Sequence, residues 1–416
     1  MKRQSHGSRA VTLQRISLSC LMVALCPHLA NAQSFYARGK SGESQYPQQL
    51  RPTTGSPTTS AASGSVSSDL LSLYQNTKRE LSDSDVTKIA RSCSQVMQNQ
   101  DRSKVDREYA TSLLAWALNR RGEIRSDRAA QLVQEGRENE AAKLDKLAED
   151  DFKTSVEFGP KNWRTHHNYA IALAMSNEYQ KAISELTQAL SLKPDYSNAH
   201  FNRGELYFET SQFRKAEKDY SNAIKLDSTD PQYFNSRAHC RFIMENYADA
   251  LADYRKALEL GDDSAVYATD LADAYQFLGQ WDEAAESYRK AIAINNQYSR
   301  AYQNAAWLMA TCPKKELRNE QLAVSAAKRA MELNGVRDIA GLDTLAAATA
   351  AAGKFSQALK LQQEAISQSN STEERAELNT RLELYAAGKI YIQPRSTKLA
   401  EVSNPIRAAS GTKERR

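Results

Sequence analysis

Four short runs of this sequence are versions of one another and fall in strict register. They are Glu178-Tyr179-Gln180-Lys181-Ala182, Gln212-Phe213-Arg214-Lys215-Ala216, Asn246-Tyr247-Ala248-Asp249-Ala250 and Gln280-Trp281-Asp282-Glu283-Ala284, and their alanines recur every 34 residues. Seven residues later comes a second alanine, at Ala189, Ala223, Ala257 and Ala291. Between the two stands Leu186, Tyr220, Tyr254 or Tyr288. A small residue lies twelve before each first alanine, at Ala170, Gly204, Ala238 and Ala272. A fixed period of this kind restricts the fold to units that pack chiefly on their neighbours, because one short unit cannot bury its own apolar face. Glycine and proline are scarce in this region, and Ala, Leu, Glu, Lys and Gln are plentiful, which favours helix over strand.

The period, with small, aromatic and alanine positions in this order, resembles the tetratricopeptide (TPR) repeat, a helix-turn-helix unit. The resemblance spans residues 107–387. It implies an all-α chain, a right-handed α-α superhelix (TPR solenoid) of about seven helix-turn-helix repeats with capping helices. The handedness, and a concave wall built from the first helix of each pair, are what the family implies rather than what the period shows. The alanine and glycine positions then mark close helix crossings, and Tyr220, Tyr254 and Tyr288 are expected to fill the wider gap toward the next unit.

Residues 1–32 have the form of a secretory signal. Lys2, Arg3, Arg9 and Arg15 precede an apolar run from Ile16 to Cys26, and Ala30-Asn31-Ala32 fits the small-x-small cleavage pattern. The expected product is exported to the periplasm or cell envelope after cleavage at Ala32, with no integral membrane segment remaining, since the run is too short to span a bilayer. A lipidated N-terminus is the alternative, but the residues before Cys20 and Cys26 match a lipobox poorly. Residues 33–68 are rich in Ser, Thr and Pro and almost free of aliphatic side chains, a composition that reads as a disordered linker. Residues 69–104 read as N-terminal capping helices: Leu70, Leu71 and Tyr74 share a face, and Ser82-Asp83-Ser84 offers an N-cap before Val86, Ile89, Cys93, Val96 and Met97.

Residues 105–160 read as a divergent repeat with a helical insertion at Glu123–Leu144, either as lengthened helix ends or as a projection that binds a partner. Residues 161–370 hold six repeats, with first helices starting near Trp163, Ser197, Pro231, Ala265 and Ser299. The turn from Thr311 to Asn319 is enlarged, and Pro313 breaks the helix there. Residues 371–387 read as a C-terminal capping helix, and 388–416 as a polar, disordered tail.

Composition argues against several functions. Four of the basic residues behind the net charge of +5 lie in the first 32 residues, so the remainder is nearly neutral and gives no reason to expect a nucleic-acid partner. No glycine-rich phosphate loop, zinc spacing or nucleophile elbow occurs. His166 and His167 are adjacent, so on a helix they point about 100° apart and do not share a metal; His166 and His200 are expected to be packing residues. Acid pairs such as Asp262-Asp263 sit where carboxylates favour a helix start. Cys93, Cys240 and Cys312 fall in units that are not next neighbours and are expected to be free thiols. The chain therefore reads as a non-enzyme, with no cofactor and no metal.

What remains is a binding role. In TPR proteins the fifth, sixth and ninth positions of a repeat face the inner wall, and a ladder of short amides there would meet the backbone of an extended peptide. On this basis the candidate partner-binding residues are His167, Asn168, Phe201, Asn202, Glu205, Asn235, His239, Asp270, Asp273, Gln303, Asn304 and Trp307. Phe201 and Trp307 are the aromatic candidates, either as exposed anchors on this wall or as buried packing residues. The pairs His167/Ile171, Phe201/Glu205 and Asn235/His239 depart from the Lys/Asn pair of the carboxylate clamp that grips chaperone C-termini, which excludes that subclass for these repeats. The expectation is a non-catalytic scaffold of the envelope with a protein or peptide partner. The alternatives are a chaperone or assembly factor for exported proteins, resting on Phe201, Phe242 and Trp307, or a non-catalytic subunit of an envelope enzyme complex.

Overall fold

A computed structural model describes residues 66–77 and 81–394. The expectations for the signal at 1–32, for nearly all of the linker and for the tail after residue 394 lie outside the described residues. Among the described residues every regular element is helical. The chain divides between Asp227 and Ser228 into two compact units.

In the first unit, α1 (Ser68–Asn76) and α2 (Asp83–Gln98) pack with the long α3 (Lys104–Gln134). Leu70, Tyr74, Val86, Ile89, Cys93 and Leu113 share one core there. Ser82 caps α2 through a reciprocal capping box with Asp85. Val66 packs against this core and the Ser67 N–H donates to Asp106 Oδ1 at 2.9 Å, so the end of the expected linker is tied down. Helix α4 (Glu138–Phe158) runs back along α3. The insertion is thus two lengthened helix ends, held by Ala129, Leu132, Ala141 and Leu144. Two repeats complete the unit: α5 (Trp163–Met175) with α6 (Tyr179–Leu192), and α7 (Ser197–Glu209) with α8 (Phe213–Leu226).

The second unit continues the alternation. Its pairs are α9 (Pro231–Ile243) with α10 (Tyr247–Leu260), and α11 (Ala265–Phe277) with α12 (Trp281–Ile294). Then come α13 (Ser299–Thr311) with α14 (Glu320–Asn334), and α15 (Ile339–Ala351) with α16 (Phe355–Gln368), closed by α17 (Thr372–Ala386). The enlarged turn after α13 contains a short 3-10 segment, Lys315–Leu317.

The signature residues are framework. Ala182, Ala216, Ala250 and Ala284 are fully buried, as are Ala170, Ala238 and Ala272. A Cβ on Gly204 would lie 2.8 Å from the Tyr220 ring, and one on Gly122 would lie 2.5 Å from Phe152. The aromatic of the second helix therefore sits over the small residue of its own repeat's first helix. This corrects the expectation that Tyr220 and Tyr288 fill the gap toward the next unit: their hydroxyls donate to Glu205 and Asp273, on the first helices of their own repeats.

Each helix-helix turn reuses one device. Asn177, Ser211, Glu245 and Gly279 recur in the 34-residue register, all with φ between 57° and 76°. The residue after each returns a bond to the carbonyl five residues back, as in Gln212 N to Tyr207 O at 2.7 Å and Asn246 N to Arg241 O at 2.8 Å. This is a Schellman closure, which needs one left-handed residue. Three of the four positions carry a side chain there.

Helix α17 closes in the same way, with Gly388 at φ 67°. The chain then does not trail off at 388 as expected. Its Gln393 N–H donates to Thr311 O on α13 at 2.8 Å, and Tyr391 packs beside Trp307. Ile390, Tyr391 and Ile392 are half-buried apolar residues, which is why a segment read as polar tail lies down on the fold.

Candidate protein-interaction face

The twelve candidate residues all fall on first helices, from α5 to α13, and most of them are buried. His167, Phe201, Asn202, Glu205, Asn235, His239, Asp270 and Asp273 are at most 8% exposed. Asn168, Gln303, Asn304 and Trp307 are half-buried. Phe201, read either as an exposed anchor or as packing, takes the packing role: it is 2% exposed and lies 5.8 Å from the Tyr220 ring, and Phe242 is equally buried. Phe201, at a fifth position, packs on Tyr220, and Phe242, at a twelfth, packs on Tyr247 and Tyr254, which removes both rings from solvent.

The polar members bond to one another. In the first unit, Asn168 Nδ2 donates to Asn119 Oδ1 and Glu123 Oε1, both at 3.0 Å. That fixes its Oδ1 toward His167 Nδ1 at 3.3 Å, while Asn202 Nδ2 faces His167 Nε2 at 3.1 Å. One relay thus joins α3, α5 and α7, and its imidazole carries the proton on Nδ1. Burial holds this ring neutral, with its pKa pushed down to about 4.

In the second unit, Asn235 Nδ2 donates to Asp270 Oδ2 at 2.8 Å, and His239 Nε2 lies 3.4 Å from the same oxygen. Arg300 Nη1 meets Asp270 Oδ1 at 2.8 Å, and its Nη2 pairs with Asp273. Asn304 and Tyr288 also donate to Asp273 Oδ1, at 2.7 and 2.6 Å. Burial raises the Asp273 carboxyl above the ordinary range, an effect that Arg300 only partly offsets. Among the described residues Gln303 has no side-chain hydrogen-bond partner. Buried polar groups are stable only when they are bonded, so the ladder of amides and acids is internal wiring between consecutive first helices.

Several residues in this wiring escaped the reading of the sequence. Arg203 grips Asp219 with two bonds of 2.7 and 2.9 Å, and Arg237 grips Asp253 with two of 2.8 Å. Arg121 does the same to Asp151 in the divergent repeat. The arginines 203 and 237, and the aspartates 219 and 253, stand 34 apart, so the signal was present in the register. His166 and His200 do more than pack. Their Nδ1 atoms face Glu185 and Asp219, at 2.6 and 3.2 Å, and their Nε2 atoms face the carbonyls of Pro160 and Pro194, at 2.9 and 3.1 Å. Glu185 raises the pKa of His166, favouring its charged form. Cys93, Cys240 and Cys312 are buried free thiols.

The last polar cluster surrounds Trp307. The Arg381 guanidinium lies 5.6 Å from the centroids of both Trp307 and Tyr391. Its Nε donates to Asp343 Oδ1 at 2.8 Å, an oxygen that also accepts from Gln362 Nε2 at 2.9 Å.

Paired helices in fixed register, with an aromatic over a small residue in each pair, define the class: an all-α helical-repeat protein. Family models agree. One described as tetratricopeptide repeat matches residues 231–297, one described as TPR repeat matches 172–211, and a second tetratricopeptide repeat model matches 197–230. The chain is a tetratricopeptide repeat protein, of a family that binds protein or peptide partners and is in general non-catalytic. No curated protein matches the sequence.

Among solved structures, a tetratricopeptide repeat protein from Parabacteroides merdae is 19% identical, covers 64% of this chain and 98% of its own, with a TM-score of 0.44. Yeast Tom70 is 17% identical over 98% of this chain and 79% of its own, also at 0.44. YrrB, described as a TPR protein with an unusual peptide-binding site, is 19% identical over 46% of this chain and 95% of its own, at 0.38. Similarity this distant carries no argument about partners. Among the described residues no helix is long and apolar enough to cross a membrane.

Proposed function

We propose that this protein is a non-catalytic interaction scaffold of the cell envelope that takes a protein or peptide partner on the first-helix face of its repeats. The observation that carries this reading is the run of tetratricopeptide family matches across residues 172–297. The secretory form of residues 1–32 supports export, with Gln33 as the mature N-terminus. Of the twelve candidate residues, the four that solvent reaches (Asn168, Gln303, Asn304 and Trp307) are the ones assigned to partner contact. The buried eight set the spacing and tilt of the first helices. The chaperone alternative needed an apolar groove, and burial of Phe201 and Phe242 removes two of its three supports.

Capture from native envelope extract tests the proposal, comparing wild type with a Gln303→Ala/Trp307→Ala double variant of equal melting temperature. Loss of the same partner from the variant is expected. If every captured protein survives the substitution, the face assignment is wrong. Intact-mass measurement of the native protein tests export: a mass that includes residues 1–32, or an added acyl chain, would contradict it.

A further inference from the structure

The segment after α17 occupies a built site. On one side stands Trp307, half-buried on α13, and on the other Arg381 on α17, whose guanidinium lies 5.6 Å from the rings of both Trp307 and Tyr391. The receptor half of this site is held by bonds that do not involve the segment. Asp343 accepts from Arg381 Nε at 2.8 Å and from Gln362 Nε2 at 2.9 Å, and the Thr311 hydroxyl donates to Trp307 O at 2.7 Å. The Thr311 carbonyl remains as an acceptor for a passing backbone N–H, and Gln393 supplies one at 2.8 Å. The Trp307 and Tyr391 centroids are 5.8 Å apart, so the three groups form a near-equilateral triangle in which the second ring packs on both the first ring and the cation, a favourable arrangement that selects an aromatic ring at that corner.

The occupant is only partly seated. Ile390, Tyr391, Ile392 and Gln393 are only half-buried. The side-chain oxygen of Gln393, like that of Gln362 in the receptor, is shut off from solvent and has no hydrogen-bond donor among the described residues. A buried acceptor left unpaired is unfavourable, and a ligand that pairs or omits it binds better. A prebuilt receptor holding an imperfectly matched piece of its own chain has the form of an internal competitor.

We propose that the cleft between Trp307 and Arg381 is a docking site for an extended partner segment carrying an aromatic side chain, and that Tyr391 occupies it as a built-in competitor. This rests on the reading of the chain as a partner-binding scaffold and adds the chemistry of the ligand: one aromatic ring packed against both Trp307 and Arg381, and one backbone N–H for the Thr311 carbonyl. The aromatic is followed two residues later by the donor, as Tyr391 is by Gln393. Because the tether from α17 is short, the local concentration of the self segment is high, and a free ligand meets a site that is closed most of the time.

The test uses the full chain and a fluorescent peptide of sequence Ala-Gly-Lys-Ile-Tyr-Ile-Gln-Pro, read by anisotropy. Two variants open the site by independent routes. Tyr391→Ala removes the competing ring, and Gln393→Pro removes the N–H donor while leaving every ring in place. Both should bind the peptide about tenfold or more tighter than wild type, because each raises the fraction of open sites. Tyr391→Phe, which keeps the ring and loses only the hydroxyl beside Arg381, should stay nearer to wild type than to Tyr391→Ala, and Trp307→Ala in the Tyr391→Ala background should abolish the gain. Equal binding by wild type and both open variants, or no binding by either open variant at its wild-type fold, would overturn the proposal. So would a wild-type dimer in light scattering that Tyr391→Ala converts to monomer, since the segment would then be exchanged between copies. The probe is synthetic, so its result does not depend on whether envelope extract yields a partner, and the two readings fail separately.

Discussion

Mild acid should destabilise the first unit through a single imidazole. His167 is 1% exposed and stands edge-on to Tyr196, with ring centroids 5.0 Å apart. Its two nitrogens face an acceptor, Asn168 Oδ1, and a donor, Asn202 Nδ2. The neutral ring satisfies both; an imidazolium would drive a second N–H against the Asn202 amide. Burial is the main cause of the depression from 6.5 to about 4. Between those values the unfolded chain binds a proton that the folded chain does not, so stability falls as pH drops through the window and is fully present above 6.5.

For a shift of this size the loss is about 2 kcal/mol by pH 5 and approaches about 3 kcal/mol at pH 4. In a unit of this length 2 kcal/mol corresponds to roughly 4–8 °C in melting temperature. The assay is a series of urea and thermal melts from pH 7.5 to 4 on wild type and on His167→Gln, which cannot titrate. Carboxylates titrate in both proteins, so the difference between the two curves isolates the imidazole. Wild type should lose about 2 kcal/mol more than the variant between pH 7.5 and pH 5. Parallel curves would refute the reasoning, because His167 would then titrate as an open group on a ligand-facing wall.

Other perturbations have equally definite signs. Ser211 is exposed with φ 57°, so Ser211→Gly should stabilise by about 0.5–1 kcal/mol once the glycine's chain entropy is subtracted, whereas Gly279→Ala at the equivalent turn should destabilise by about 1 kcal/mol; chemical denaturation reads both. Asp253→Ala leaves the half-buried arginines Arg237 and Arg241 without their carboxylate and should cost about 3–5 kcal/mol, while Asp249→Ala on the exposed side of the same helix should change stability by less than about 0.5 kcal/mol. Thiol titration should find Cys93, Cys240 and Cys312 slow to react in the native protein, with Cys93 the slowest because burial pushes its pKa up to about 12, and all three fully reactive in denaturant.

Much of the fold was legible because the repeat fixes backbone positions that only small residues fit. The helix starts at Trp163, Ser197, Pro231, Ala265 and Ser299 follow directly from the alanine register. The same register held the Arg203–Asp219 and Arg237–Asp253 pairs, which were overlooked because charged residues on a helix ordinarily face water. Burial was harder to read. Asn202, Asn235 and Asp270 occupy positions where the family has inward-facing side chains, and a sequence does not say whether such a side chain meets solvent or the next first helix. His166 looked like packing because its two partners, Glu185 and the Pro160 carbonyl, lie on other elements. The segment from Lys389 to Pro394 looked like tail because four polar or small residues precede its three apolar ones. Nothing local in the sequence points to Trp307, which lies far back along the chain.

The central claim is that the first-helix polar residues hold consecutive repeats together, and that partners are met by the few side chains that solvent reaches. Asn202→Ala separates these roles. It removes the donor to His167 Nε2 at a site with no exposed surface, which should cost about 1–3 kcal/mol. The account predicts a variant that melts several degrees lower and, well below that temperature, captures the same partner as wild type. A variant as stable as wild type that no longer captures the partner would contradict it.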